Sequence, residues 1–135
     1  MPHLRRSTLL LFLSLVVAVS TTTFADEPPP PAKVVSLVID YGDGVELRFP
    51  SVPWKDDMNV GDVMTFASQH ARGIKFKSRG SGATALLYRI DDLENEGGSG
   101  LNWIFRVNGE LGDRSYAITP IAANDRILWK FDEYR

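Results

Sequence analysis

The chain has 135 residues, no cysteine, and 15 basic against 17 acidic side chains, a net charge of −2. The missing cysteines exclude disulfides and a lipid-modified cysteine anchor, so the fold is held by burial alone. The mild acidity argues against a nucleic-acid partner, because phosphate binding needs a dense basic surface.

Arg5 and Arg6 form a short basic head, followed by the apolar run Leu9 to Val19, "LLLFLSLVVAV". A bilayer span takes about 20 residues, so this run is too short and fits the core of an export signal. "TTTFA" ends in a small residue, which predicts cleavage after Ala25 and a signal peptide over 1–25. An uncleaved anchor is the alternative. The expected location is exported, periplasmic or secreted, with no membrane span after cleavage. The remaining 110 residues, Asp26 to Arg135, suit one domain. "EPPPPAK" at 27–33 is a proline tract, stiff and without backbone donors; residues 26–33 read as a spacer before a domain over 34–135.

"VVSLVIDY" places Val35, Leu37, Ile39 and Tyr41 on one strand face. "GDG" at 42–44 supplies a turn, and "VELRF" alternates again with Val45, Leu47 and Phe49 inward. Pro50 and Pro53 are expected to end that strand. Asn59 and Asp62 have the spacing of a helix cap. Val60, Val63, Met64, Ala67 and Ala71 follow helical spacing up to Gly73, which predicts a helix of about 13 residues. "IKFKSR" alternates with Ile74 and Phe76 inward, and "ALLYRI" reads as another strand. "DDLENEGGSG" reads as an acidic, glycine-rich loop. Trp103, Phe105 and Val107 then share a strand face that runs into Asn108-Gly109, a strong hairpin signal. "DRSYAI" is irregular, and "RILWKF" sets Ile127, Trp129 and Phe131 on one face.

The order is two strands, a helix, then three or four strands. It predicts an α+β fold of the β-grasp (ubiquitin-like) kind: a mixed sheet of four to six strands with one helix packed on one face. Ser36, Asp40, Glu46, Arg48, Arg106, Arg126 and Lys130 would cover the open face.

The segment from Leu86 to Phe131 resembles the transcobalamin-like C-terminal domain family, exported domains of unknown function. The resemblance lies in Ile90-Asp91, Trp103, Asn108-Gly109, Tyr116 and the run Asp125 through Phe131. "MNVGDVMTFA" resembles the family's helix opening, with Asn59 in place of Thr, and "AAND" at 122–125 departs from the usual Gly-Asp turn. The resemblance spans Val34 to Phe131. It implies a β-grasp lid of the kind that closes on a corrinoid held by a larger helical barrel; this chain contains no such barrel.

Several residue groups are weighed for chemistry. Trp103, Phe105 and Trp129 form either an aromatic platform or core, and core is favoured by their strand spacing, least strongly for Trp103 at the hairpin mouth. Tyr88, Trp54 and Tyr116 are expected at strand ends or in loops, as exposed aromatics. Arg72, Lys75, Lys77 and Arg79 suit an anion or, by preference, a charged strand edge that blocks aggregation. "DDLENE" matches no calcium loop spacing. His70 is the one histidine after the signal, without a Ser or Asp at a recognisable motif spacing, and "RGSG" is neither a nucleophile elbow nor a phosphate loop.

The sequence therefore predicts no enzyme, no metal and no resident cofactor. It predicts an exported binding module for a small molecule, corrinoid-like by the resemblance alone, acting with or without a second envelope protein. The ligand-binding candidates are Trp103, Tyr88, Tyr116, Asn108 and Trp54, with the Glu94–Gly100 loop beside them. The alternative is a protein-interaction module that offers an exposed sheet edge and has no small-molecule ligand.

Overall fold

A computed structural model describes residues 17–20 and 23–135. Arg5, Arg6 and most of the expected signal run lie outside the described residues. Residues 23–33 carry no regular structure and are exposed, the proline tract included. No helix among the described residues is long and apolar enough to cross a membrane.

The first strand, β1 (Val34–Asp40), pairs antiparallel with β2 (Glu46–Pro53). The turn between them is built by its acids: Asp40 Oδ1 accepts from Gly42 N–H at 2.9 Å and Asp43 Oδ1 from Val45 N–H at 3.0 Å. Val45 belongs to this turn and is 56% exposed, so it does not join the inward row expected of it. Pro50 and Pro53 do not end the strand either; β2 runs through Pro50 to Pro53 with a register shift opposite Val35 and Leu37. β2 is the outermost strand of its sheet, where a missing N–H breaks no ladder.

Helix α1 (Val60–Gln69) opens with a reciprocal cap. Asn59 Oδ1 accepts from Asp62 N–H at 3.0 Å, and Asn59 N–H donates to Asp62 Oδ2 at 2.9 Å. Val60, Val63, Met64 and Ala67 are buried. The helix stops at Gln69, shorter than its apolar spacing predicts, and Ala71 is exposed. The chain leaves the helix at His70 so that Ile74 can turn into the core, and the N–H groups of Gly73 and Ile74 close the end on His70 O and Ala67 O.

The remaining strands are β3 (Phe76–Arg79), β4 (Leu86–Ile90), β5 (Leu93–Glu94), β6 (Leu101–Val107), β7 (Glu110–Leu111) and β8 (Arg126–Glu133). They do not all join β1 and β2 in one sheet. The architecture is mixed α+β with one helix and two sheets: five strands in the order β2-β1-β8-β6-β7, and three in the order β3-β4-β5. β1 and β8 run parallel in the middle of the large sheet; the other neighbours are antiparallel.

Register aligns the apolar rows. Trp103 faces Phe131, Phe105 faces Trp129 and Val107 faces Ile127, while Leu37 and Ile39 lie beside Ile127 and Trp129. Ile127, Trp129 and Phe131 are buried, as their spacing predicts. The helix and the small sheet, through Ile74, Leu87 and Ile90, join the same core. On the opposite face Lys130 lies between Asp40, at 3.9 Å, and Asp132, at 3.6 Å.

Candidate functional site

The small sheet and the β6 end of the large sheet enclose a cleft of about 790 Å³. Small-molecule sites commonly span roughly 300–1,000 Å³. Tyr88 lines it from β4, Trp103 from β6 and Tyr116 from the 3₁₀ turn Tyr116–Ile118. Residues 94–98 of the acidic loop form part of its rim. Three of the five candidates chosen from the sequence thus meet at one place.

Each is held differently. Tyr88 is half-buried, and the Arg79 guanidinium lies over its ring, 4.5 Å from the centroid. Trp103 is 5% exposed. Its indole Nε1–H donates to Leu93 O at 2.9 Å, and its ring meets Tyr41 edge-on at 5.7 Å. Tyr116 is not the exposed aromatic that its irregular surroundings suggest: it is 7% exposed and packs edge-on to Trp129 at 5.6 Å. Ser115 anchors this turn by donating from Oγ to Ala85 O at 2.7 Å.

Trp54 and Asn108 lie elsewhere. Trp54 donates from Nε1 to Ile121 O at 3.1 Å, with Lys33 Nζ 5.3 Å from its ring centroid. Asn108 has a φ of 52° and Gly109 a φ of 84°, as the hairpin requires. The Asn108 side chain donates to Asp125 Oδ1 at 2.8 Å and accepts from Arg126 N–H at 2.9 Å, so it fastens the hairpin to the start of β8.

Beyond the five candidates the structure adds residues, two of which the sequence weighed as an aromatic platform and read as core. Trp129 lines the cleft, is 2% exposed, and its Nε1–H has no hydrogen-bond partner. Phe105 lies against it, ring centroids 5.0 Å apart. Gly112 holds Phe105 there: a methyl group at 112 would overlap the Phe105 ring. Asn95 links the two sheets, receiving Trp103 N–H on Oδ1 at 2.8 Å and donating from Nδ2 to Leu87 O at 3.3 Å. Asn95 has no sequence signal, because its role exists only once β4 and β6 are side by side. Period-two spacing marked Trp129 and Phe105 as core, and core residues here also line the cleft.

Of the basic group at 72–79, only Arg79 reaches the cleft. Lys75 donates its backbone N–H to Asp91 Oδ1 at 2.9 Å. The same carboxylate accepts from Tyr41 Oη at 2.5 Å, behind Trp103. Burial, then the Asp91 hydrogen bond and the charges of Asp91 and Asp92, push the Tyr41 phenol well above its ordinary 10.0. His70 packs edge-on to Phe49 at 5.5 Å and accepts from Arg72 N–H through Nδ1 at 3.2 Å. Among the described residues no three His, Asp or Glu side chains gather as a metal site.

A family model described as "Domain of unknown function (DUF4430)" matches residues 61–133. No curated protein matches the chain. Among solved structures the chain is similar to one described as a "putative metal binding protein" from Ruminococcus gnavus, with a TM-score of 0.58 and 16% sequence identity. The similarity covers 76% of this chain and 99% of that one. At that identity it is a likeness of fold.

Proposed function

The chain belongs to the DUF4430 family, and from that premise we propose that it is an exported, non-enzymatic binding module that takes a small molecule in the cleft between its two sheets. The observation that carries this reading is the cleft itself: about 790 Å³, apolar at its aromatic floor, with a buried indole N–H left without a partner. A concave apolar site with a few polar groups is the usual form of a small-molecule pocket. The expected signal run supports export.

The strand order β2-β1-β8-β6-β7, with β1 parallel to β8, supports the β-grasp reading. The transcobalamin-like resemblance makes a corrinoid the first ligand to try, with a second envelope protein as the other wall of the site. The described residues do not fit a bare metal ion held by protein side chains alone, since no three ligating side chains converge. The reading as a protein-interaction module through a sheet edge is weaker. Of the two edges of the large sheet, β2 loses donors at Pro50 and Pro53, and β7 is only two residues long.

The test is titration of the protein with a corrinoid panel, read by tryptophan fluorescence. Saturable quenching that weakens when Tyr88 is replaced by alanine supports the cleft. No saturable change up to high micromolar ligand discards the corrinoid as a stand-alone ligand. Capture of an envelope protein by a form whose cleft binds nothing favours the interaction reading.

A further inference from the structure

We infer that the cleft takes an organic anion with a flat apolar body, its carboxylate or equivalent acid group on Arg79 and its ring system against the wall formed by Phe105, which Trp129 backs. This deepens the reading of the cleft as a ligand site and rests on it.

Arg79 carries the anion half of the argument. Its guanidinium stacks on Tyr88 at 4.5 Å and makes no ion pair among the described residues. A guanidinium held over a ring through its cation–π contact still has N–H groups available to a second partner. Those groups match a carboxylate with two parallel hydrogen bonds. Arg114 also lines the cleft, but Asp113 already neutralises it at 3.0 Å. On the acidic side, Glu96 is engaged by Leu101 N–H at 2.8 Å. Glu94 stands on β5, and β5 and β3 flank β4 on opposite sides.

The wall carries the other half. Half-buried Phe105 presents aromatic surface in the cleft, with Trp129, 2% exposed, packed behind it at 5.0 Å between ring centroids. A small inorganic anion would use Arg79 and leave this wall uncovered. A neutral hydrocarbon would cover the wall and leave Arg79 unused.

The experiment uses three probes of the same ring: naphthoate, naphthylmethanol and naphthylmethylammonium. Each is titrated into the full chain by calorimetry, with inorganic phosphate as a fourth arm. Naphthoate is expected to bind roughly tenfold tighter than the neutral alcohol, as a charge-assisted pair predicts. The ammonium should be weakest. Arg79→Gln, at an exposed position, should abolish the difference between acid and alcohol, and Arg79→Lys should keep part of it. In a proton–nitrogen correlation spectrum, naphthoate should move the Trp129 indole signal and leave that of Trp54 in place. Equal affinity for acid and alcohol, or an unchanged ratio in Arg79→Gln, overturns the anion inference while the cleft still stands as a site. Tight binding of phosphate alone overturns the apolar half. Failure of every naphthyl probe to bind, or a shift confined to Trp54, overturns both the inference and the cleft reading beneath it.

Discussion

Asn95 Oδ1 accepts the backbone N–H of Trp103 at 2.8 Å, and its amide returns a bond to Leu87 O at 3.3 Å. One side chain thereby closes the gap between a strand of the small sheet and a strand of the large one. Its own backbone N–H adds a bond to Tyr88 O at 2.8 Å. Asn95→Leu keeps the branching of the side chain and removes both of its hydrogen bonds. It should cost about 1–3 kcal/mol, because the N–H of Trp103 is left without its partner. Urea unfolding checks the cost, and loss of naphthoate affinity checks whether the cleft depends on this link.

Tyr41 makes stability depend on alkaline pH. Its phenol is harder to ionise in the folded protein than in the unfolded chain, whose value is near the ordinary 10.0. The Tyr41 contribution is fully present below that value and is lost as pH rises from there toward the folded one. The urea midpoint should fall between pH 10 and 11.5 by more in the wild type than in Tyr41→Phe. Parallel curves for the two proteins would remove Tyr41 from the explanation.

Gly112→Ala tests the seat of Phe105. The added methyl has no room against that ring, while Gly112 N–H remains tied to Phe105 O at 3.0 Å. The ring must move. Overpacking of this kind typically costs about 1–3 kcal/mol. The expected result is a lower melting temperature together with weaker ligand binding, read on the same sample by thermal unfolding and calorimetry.

Asn108→Ala should separate stability from binding. It loses two hydrogen bonds to the start of β8 and places alanine at a φ of 52°. A loss of about 1–3 kcal/mol in urea unfolding is expected from the bonds and the backbone strain together. Affinity for naphthoate at a temperature where the variant is folded should be unchanged, since Asn108 does not line the cleft. A binding defect without a stability defect would return Asn108 to the site.

Elements whose information is local were legible in the sequence. The inward row Ile127, Trp129, Phe131 follows from side-chain alternation, and the Asn59–Asp62 cap and the Asn108-Gly109 turn follow from short-range bonding and backbone preference. What depends on partners was not legible. β5 is two residues inside a glycine-rich acidic stretch, too short for any period, so the division into two sheets left no mark. Tyr116 is buried because its turn is tied to Ala85 O through Ser115 and Trp129 supplies a ring to meet; neither Ala85 nor Trp129 is near it in sequence. Tyr88 and Tyr116 stand out in the sequence only as aromatics at strand ends or in loops, and Trp103 by its place at the hairpin mouth; that all three line one cleft depends on the folded arrangement. Trp54 and Asn108 were placed with them because exposed-looking aromatics and turn residues carry no information about which surface they reach.

The parallel pairing of β1 with β8 has a consequence for how the protein is made. Ser36 lies beside Arg126 and Asp40 beside Lys130, ninety positions apart along the chain. Synthesis delivers each pair of partners about ninety residues apart. Until the final strand emerges, the apolar row of β1 has its hairpin neighbour β2 on one edge and nothing on the other. Contacts this distant slow folding. The chain therefore stays adhesive between the emergence of β1 and that of β8, and a holdase that shields Leu37 and Ile39 during that interval would raise the yield of native protein.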